Sequence, residues 1–479
     1  MIITEQTCIF MEKGQQILLD YFEQTAHKRD KWKRRNRFYQ RTIEKQFSFI
    51  IPEGATVLEL GCGTGDLLNA VKPAKGIGVD FSKSMVEIAQ AKYPHLEFVI
   101  ADAITFKPGT EIDYIIVSDL ITSLWDIQTF FRNIRTYVTP RTKIVISSYN
   151  YIWEPTLKIG EKIGLKAKQP LQNWLTIKDI ENVLYLENFE IIKVERKLLF
   201  PKYVPLFNLI VNKFLANLPG IQSLNLIQFI TARPVYSEPT EFSVTIVVPA
   251  RNEMGNIENA VKRTPKFGSH QEFIFIEGNS SDGTYDEMLR VQKIYHEVDI
   301  KVMKQSGKGK GNAVREAFAA ASCDILMILD ADLTTPPEDM PKFYEALRNN
   351  KGEFINGCRL VYPMEKEAMR FLNFMANKFF GWFFSYLLGQ RMKDTLCGTK
   401  VLFKKDYETI LANRSYFGDF DPFGDFDLLF GAAKLNLKIT EVIVHYRDRE
   451  YGSTQISRFS HGWLLIQMSL FAARKIKFK

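Results

Sequence analysis

Along this chain, short continuous apolar runs alternate with stretches whose apolar residues recur at helical spacing. In the first half the runs are TVLEL from Thr56, GIGVD ending at Asp80, EFVI before Ala101, IIVSD ending at Asp119 and KIVIS from Lys143. Further strand patterns cover Glu190 to Leu199 and Leu226 to Ala232. The second half repeats the theme in SVTIVVPA, FIFIE, IKVM and ILMILD. Unbroken runs of this kind are buried parallel strands, and their alternation with helices predicts an α/β fold.

The flanks read differently. Residues 1–50 carry Ile17, Leu18, Tyr21 and Phe22 at helical spacing and predict a helical cap. The insert PKYVPLFNLIVNKFLANLPGIQS, between the sixth and seventh strand patterns, has apolar residues spaced for a lid or core helix. RPVYSEPTE, with two prolines, marks a junction near Pro239, so the expected domains are residues 1–238 and 239–479. At about 150 residues per domain, the length of 479 residues accommodates two large ones.

Composition adds limits. Hydrophobic content of 46% and charged content of 25% supply a full core without metal or disulfide staples. Five scattered cysteines without C-x-x-C spacing, and no secretory signal at the N-terminus, point to the cytoplasm. The net charge of +8 gathers at Lys28 to Arg37 and in the ARKIKFK tail. Such runs suit an anionic membrane surface or polyanionic substrate, or are simply solvated; a nucleic-acid partner is not expected.

Chemistry concentrates where strands stop. After the first strand comes LGCGTG, whose Gly61, Gly63 and Gly65 let the backbone turn tightly against a ligand. Asp80, at the next strand tip, can accept hydrogen bonds from ribose hydroxyls. With Glu59 two residues upstream of the first glycine, and Asp102 after the third strand, the run from Thr56 to Ser147 resembles the class I methyltransferases. That resemblance implies a Rossmann-like seven-stranded sheet binding S-adenosylmethionine. Glu59 and Gly61 to Gly65 would hold its methionine portion, Asp80 the ribose and Asp102 the adenine amino group. Asp119 would touch methionine or substrate, or cap a helix. The rival readings are a nicotinamide dehydrogenase and a binding module without turnover.

In the second half, ILMILDADLTTPP sets Asp330 and Asp332 beyond a strand tip. Two carboxylates facing one crevice repel unless a cation lies beside them, which points to Mg²⁺ or Mn²⁺. PARNE, NSSDGT, GKGNAVREA, LDADLTTPPED and DTLCGTKVLFKKD follow in an order that resembles family 2 glycosyltransferases of the GT-A fold, nearest the polyprenyl-phosphate sugar transferases. The resemblance implies a nucleotide-sugar donor held by Pro249, Ala250, Arg251, Glu253, Glu277 and Asp282. Lys308 and Lys310 would reach the diphosphate, Asp330 the ribose or metal, Asp332 the metal, and Arg359 the phosphates. Glu277 and Gly278 stand where the family usually has aspartates, which leaves the nucleotide open.

A hydroxyl acceptor needs a base, for which Asp425 and Asp427 are candidates; a phosphate acceptor needs none. Asp394 is a weaker candidate for the base or only orders its loop, and Arg447, Arg449 and Arg458 are candidate phosphate contacts near the acceptor. Met369 to Leu388 and the C-terminal segment read as amphipathic helices, suited equally to a membrane interface or to packing on the sheet, and the first is too interrupted to span a bilayer. The lack of clear spanning helices weighs against a lipid-phosphate acceptor. The expectation is a bifunctional methyltransferase and inverting glycosyltransferase acting on a glycan, glycolipid or polyprenyl phosphate.

Overall fold

The structure is a computed structural model that describes residues 5–170, 172–236, 240–361, 371–414, 424–447, 449, 451 and 458–478. Pro239, and the side chains of Asp425 and Arg458, lie outside the described residues. Met1–Val235 and Tyr236–Lys477 form two compact units.

The first unit opens with α1 (Glu5–Arg35) and α2 (Arg37–Ile50). It continues β1 (Thr56–Leu60), α3 (Asp66–Ala70), β2 (Lys75–Asp80), α4 (Lys83–Lys92), β3 (Glu97–Ile100) and β4 (Tyr114–Ser118). Then come α5 (Ile127–Arg135), β5 (Lys143–Tyr149), α6 (Glu154–Lys162), α7 (Ile177–Leu186), β6 (Phe189–Lys197) and β7 (Ile227–Pro234). The sheet order is β3-β2-β1-β4-β5-β7-β6, with β7 antiparallel to both neighbours. Alternate residues of β1 feed opposite cores, Val57 one face and Leu58 the other, because strand side chains alternate. Each such fully buried aliphatic side chain contributes roughly 1.5–3 kcal/mol. The order reverses between β1 and β4, which opens a crevice at their carboxyl ends.

The second unit contains β8 (Val244–Ala250), α8 (Ile257–Lys262), β9 (Gln271–Glu277), α9 (Thr284–Ile294), β10 (Asp299–Lys304), α10 (Lys310–Ala320) and β11 (Ile325–Ile328). After α11 (Met340–Arg348) and β12 (Phe354–Cys358) come α12 (Phe371–Leu388), β13 (Lys400–Phe403), α13 (Lys404–Ala412), α14 (Asp425–Lys434), β14 (Ile439–Ile443) and α15 (Arg458–Ile476). The order β10-β9-β8-β11-β13-β12-β14 reverses between β8 and β11, so Arg251 and Asp330 meet at a second crevice. Among the described residues no helix is long and apolar enough to cross a membrane.

One expectation is corrected. The insert after β6 is not a core helix: Leu209–Phe214 forms a π-helical turn and the segment continues in short 3₁₀ turns. The side chains of Asn208 and Asn212 fasten the loop that precedes the turn, through backbone groups of Lys202, Val204 and Phe200. Asn212 bonds both N–H and C=O of Phe200 at 2.9 Å. Tyr203, Leu206 and Ile210 are left exposed.

Candidate functional sites

In the first unit the turn after β1 holds Gly61, Gly63 and Gly65 at φ +74°, +52° and +77°, a region that favours glycine. A Cβ on Gly61 would lie 2.9 Å from Leu120, and one on Gly65 2.7 Å from the Phe98 ring, whereas one on Gly63 meets nothing within 4 Å. Asp80 fixes the turn. One of its oxygens accepts from the Gly63 N–H at 2.8 Å and the other from the Ser82 N–H at 3.0 Å. Ser82 in turn caps α4.

Gly61, Gly63, Asp80, Asp102 and Asp119 line a cavity of about 560 Å³, and α1 closes it with Leu18, Phe22 and Arg29. Asp102 also accepts from the Ile104 N–H at 2.8 Å. Glu59 stands behind the wall, 3% exposed. Its Oε2 has no hydrogen-bond partner, and burial pushes its carboxyl up to about 8, against the pull of Lys33. Gly65 supports the turn without lining the cavity.

Asp119 adopts the left-handed conformation at φ +56° and makes no side-chain cap, so the helix-cap alternative is set aside. Its Oδ2 accepts from the Tyr39 hydroxyl at 3.1 Å while Oδ1 is buried without a partner. An acid-lined cavity with apolar walls and a glycine cradle fits a ligand with ammonium, sulfonium and hydroxyl groups, as S-adenosylmethionine has.

Sequence reasoning did not assign α1 to this wall. Glu23 accepts from Ser82 and Ser84, and Lys33 donates to Asp66 at 2.5 Å, which docks the helix on the sheet edge. Burial works against ionisation of Asp66, but Lys33 and Lys92 hold its carboxyl well below the usual range. Polar anchors scattered along a helix give no periodic signal, which is why this role was hidden.

In the second unit a cavity of about 710 Å³ is lined by Pro249, Ala250, Arg251, Glu253, Gly278, Lys308, Lys310, Asp330, Asp332 and Arg359. The structure therefore brings together residues expected from four separate motifs. Lys310 Nζ lies 2.6 Å from Asp330 Oδ1. Burial opposes ionisation of Asp330, but Lys310, with Arg359 and Lys400, keeps its carboxyl below the ordinary range. Asp332 accepts from the Thr334 hydroxyl at 2.9 Å and from Arg449 at 2.7 Å. Arg449 also reaches Glu253 at 2.8 Å.

Arg359 is anchored inside the fold. Its guanidinium makes bonds of 2.7 and 2.9 Å to the fully buried Asp394 and lies 5.0 Å from the Tyr446 ring. Gly398, overlooked in the sequence, passes so close to the acids that a Cβ there would lie 2.0 Å from Asp330 Oδ2. The CGTK run was its signal.

Glu277, Asp282 and Asp427 do not line this cavity. Glu277 turns its carboxylate onto the Ser280 N–H. Asp282 accepts from the N–H groups of Thr284 at 3.0 Å and Met254 at 3.2 Å, so both acids build the NSSDGT turn. Asp427 lines a separate cleft among α10, α13 and α14, 3.0 Å from Arg414 and 3.8 Å from Arg315. Asp425 is the first residue of α14.

Among the described residues no cluster of three or more His, Cys, Asp or Glu could hold a metal ion. Asp330 and Asp332 still fit Mg²⁺ or Mn²⁺, which bind through one or two carboxylates and complete their shell with water and substrate phosphate.

Residues 31–194 match the family described as "Methyltransferase domain", and residues 245–409 "Glycosyl transferase family 2". The dolichol-phosphate mannosyltransferase of Pyrococcus furiosus is 32% identical over 138 residues, covering 28% of this chain and 38% of that protein. Glycosyltransferase AglJ of Haloferax volcanii is 28% identical, covering 45% of this chain and 66% of that protein. The undecaprenyl-phosphate 4-deoxy-4-formamido-L-arabinose transferase of Salmonella paratyphi B is 24% identical, covering 45% and 62%. The chain thus spans between 38% and 66% of the length of these curated relatives.

Among solved structures, a possible histamine N-methyltransferase from Thermotoga maritima aligns at TM-score 0.36 and 17% identity, over 45% of this chain and 99% of its own. A glucosyl-3-phosphoglycerate synthase from Mycobacterium tuberculosis, with Mn²⁺ and uridine diphosphate, aligns at TM-score 0.37 and 16% identity, over 49% and 80%. By its sequence matches, this chain joins a methyltransferase domain, over residues 31–194, to a family 2 glycosyltransferase domain, over residues 245–409.

Proposed function

We propose that the chain is a bifunctional enzyme, with catalytic domains at residues 1–238 and 239–479, whose second half transfers a sugar from a nucleotide donor to a polyprenyl phosphate or a related glycolipid. The observation that carries this reading is the cavity where Asp330 and Asp332 face Lys310 and Arg449 at the switch point of the sheet. Pro249, Ala250, Arg251 and Glu253 hold the nucleotide, and Lys308 and Lys310 the diphosphate. Asp330 and Asp332 hold Mg²⁺ or Mn²⁺, which neutralises charge on the leaving diphosphate when bound. Arg359, kept rigid by Asp394, steadies the phosphates. The names of the relatives specify lipid phosphates, and such an acceptor is already ionised and needs no base. The basic end of α15, with Arg474 and Lys475, and the exposed Phe379 and Trp382 of α12 suit contact with an anionic membrane from its cytoplasmic side.

For the first half, Gly61, Gly63, Asp80, Asp102 and Asp119 bind S-adenosylmethionine, with Glu59 and Gly65 supporting the turn. Both reactions serve the making of a cell-surface polysaccharide or glycolipid. Screening purified protein against nucleotide sugars with Mn²⁺ is the decisive test: metal-dependent release of nucleoside diphosphate from one donor supports the transfer, and no release from any donor overturns it. Calorimetry with S-adenosylmethionine tests the other half, where absence of binding at millimolar concentration removes methyl transfer.

A further inference from the structure

The cofactor cavity has a neighbour. A second cavity of about 270 Å³ shares three lining residues with it, Arg29, Asp119 and Gln169. Drug-sized ligands occupy roughly 300–1,000 Å³, so this space suits a single ring with its substituents. Its chemistry differs from that of the first. Aromatic rings form one wall: Tyr39 stacks on Tyr149 at 5.9 Å, and Trp32 and Trp153 stand nearby. Its other charged lining residues are cations, Arg29, Lys33, Lys166 and Lys202, and Asp119 is the only acid among them.

Most of these cations already have partners. Lys33 donates to Asp66, Lys166 pairs with Glu161, and Lys202 donates to Asn36 at 3.1 Å. Arg29 borders both cavities and makes no hydrogen bond or close ion pair among the described residues, though its charge acts on Asp80 and Asp119. Asp119 likewise presents a buried Oδ1 without a partner in the shared wall. A guanidinium whose hydrogen-bond donors are unused and a carboxylate oxygen without a hydrogen-bond partner, set against aromatic faces, suit a ligand with an anionic group, a hydroxyl and a ring face.

We propose that this second cavity is the methyl-acceptor site, that it takes a sugar ring bearing an anionic group, phosphate or carboxylate, at Arg29, and that Asp119 Oδ1 accepts the proton of the sugar hydroxyl to be methylated. The inference rests on the methyltransferase reading above. As S-adenosylmethionine supplies the methyl group, the hydroxyl oxygen forms the new O–C bond, the C–S bond breaks, the sulfur leaves as a neutral thioether, and the hydroxyl proton moves to Asp119. Tyr39, donating to Oδ2 at 3.1 Å, fixes the carboxylate in the wall that the two cavities share.

The groups facing Asp119 come from every side: Arg29 on α1, Tyr39 on α2, Ser147 and Tyr149 on β5, and Lys166 on the loop after α6. Burial raises the Asp119 carboxyl to about 6, and Tyr39, Arg29 and Lys166 pull the other way, so it is ionised and able to take a proton at neutral pH.

The test uses the full chain with S-adenosylhomocysteine present. Calorimetry compares glucose 6-phosphate, glucuronic acid and glucose; the two anionic sugars distinguish a phosphate from a carboxylate ligand. Binding of either anionic sugar about tenfold tighter than glucose, reduced to the glucose level in Arg29→Met and partly kept in Arg29→Lys, is expected. Asp119→Asn should retain anionic-sugar binding, lose methylation at least a hundredfold, and lose the acid limb of the pH profile near pH 6. Equal affinity for the three sugars, no binding of any, or an active Asp119→Asn enzyme overturns the proposal. Failure of S-adenosylhomocysteine itself to bind overturns the methyltransferase reading first, whereas normal binding of it without sugar discrimination overturns only this site.

Discussion

Arg449 donates to Asp332 at 2.7 Å, occupying a carboxylate that lies on the wall of the sugar-nucleotide cavity. The same guanidinium holds Glu253 at 2.8 Å. Burial raises the Glu253 carboxyl, and Arg449 is the chief opposing influence. A cation from the chain thus sits where a metal ion would compete.

Removing that cation should favour the metal. Arg449→Ala is expected to tighten Mn²⁺ binding in the absence of nucleotide by about tenfold, equivalent to ~1.4 kcal/mol. Calorimetric titration checks this, and weaker or unchanged Mn²⁺ affinity would show that Arg449 does not compete for the acids in solution.

The acids themselves should be indispensable for donor cleavage. Asp332→Ala should abolish metal-dependent release of nucleoside diphosphate, and Gly398→Ala should do nearly the same, because its Cβ would fall 2.0 Å from Asp330 Oδ2. A loss of more than about 100-fold in turnover, with an unchanged melting temperature for Asp332→Ala, is the expected pair of readings. Full activity in either variant would remove this site from the reaction.

Arg359 and Asp394 form a buried pair, so losing one partner strands the other's charge. Asp394→Ala should destabilise the second unit by about 3–5 kcal/mol, measured by urea denaturation. Replacing both residues with apolar ones should recover most of the stability but not the turnover. A stable Asp394→Ala protein would mean that water reaches Arg359.

Glu59 makes stability depend on pH. Its folded carboxyl titrates at about 8 against an ordinary value of 4.5, so the folded state keeps a proton that the unfolded chain has released. The contribution is fully present below about pH 4.5 and is lost as pH rises through about 8. Between those values the slope is at most about 1.4 kcal/mol per pH unit. Melting temperatures of the ligand-free protein should fall from pH 6 to pH 9, and Glu59→Gln should flatten that fall; parallel curves would exclude the group.

The central strands of both sheets were legible because a strand buried on both faces has no polar face to disguise it. TVLEL, IIVS, SVTIVV and ILMI all became sheet strands. The glycines of LGCGTG were legible for a local reason as well: three left-handed positions in five residues leave little other choice. In the segment after β6, apolar spacing leaves a lid and a core helix equally open, and only the exposure of Tyr203, Leu206 and Ile210 sets the core alternative aside.

What the sequence determined alone was therefore the set of strands, the two glycine and acid turns at their tips, and the pairing of a methyltransferase domain with a family 2 glycosyltransferase domain. Which acids share a cavity was decided by tertiary structure. Asp330 and Asp332 face the ligand space, while Glu277 and Asp282 bend onto nearby backbone and Asp427 turns to Arg414 in another cleft. The reason is geometric. A local pattern fixes where a strand ends, but the direction of a carboxylate depends on the donors that distant segments bring within about 3 Å of it.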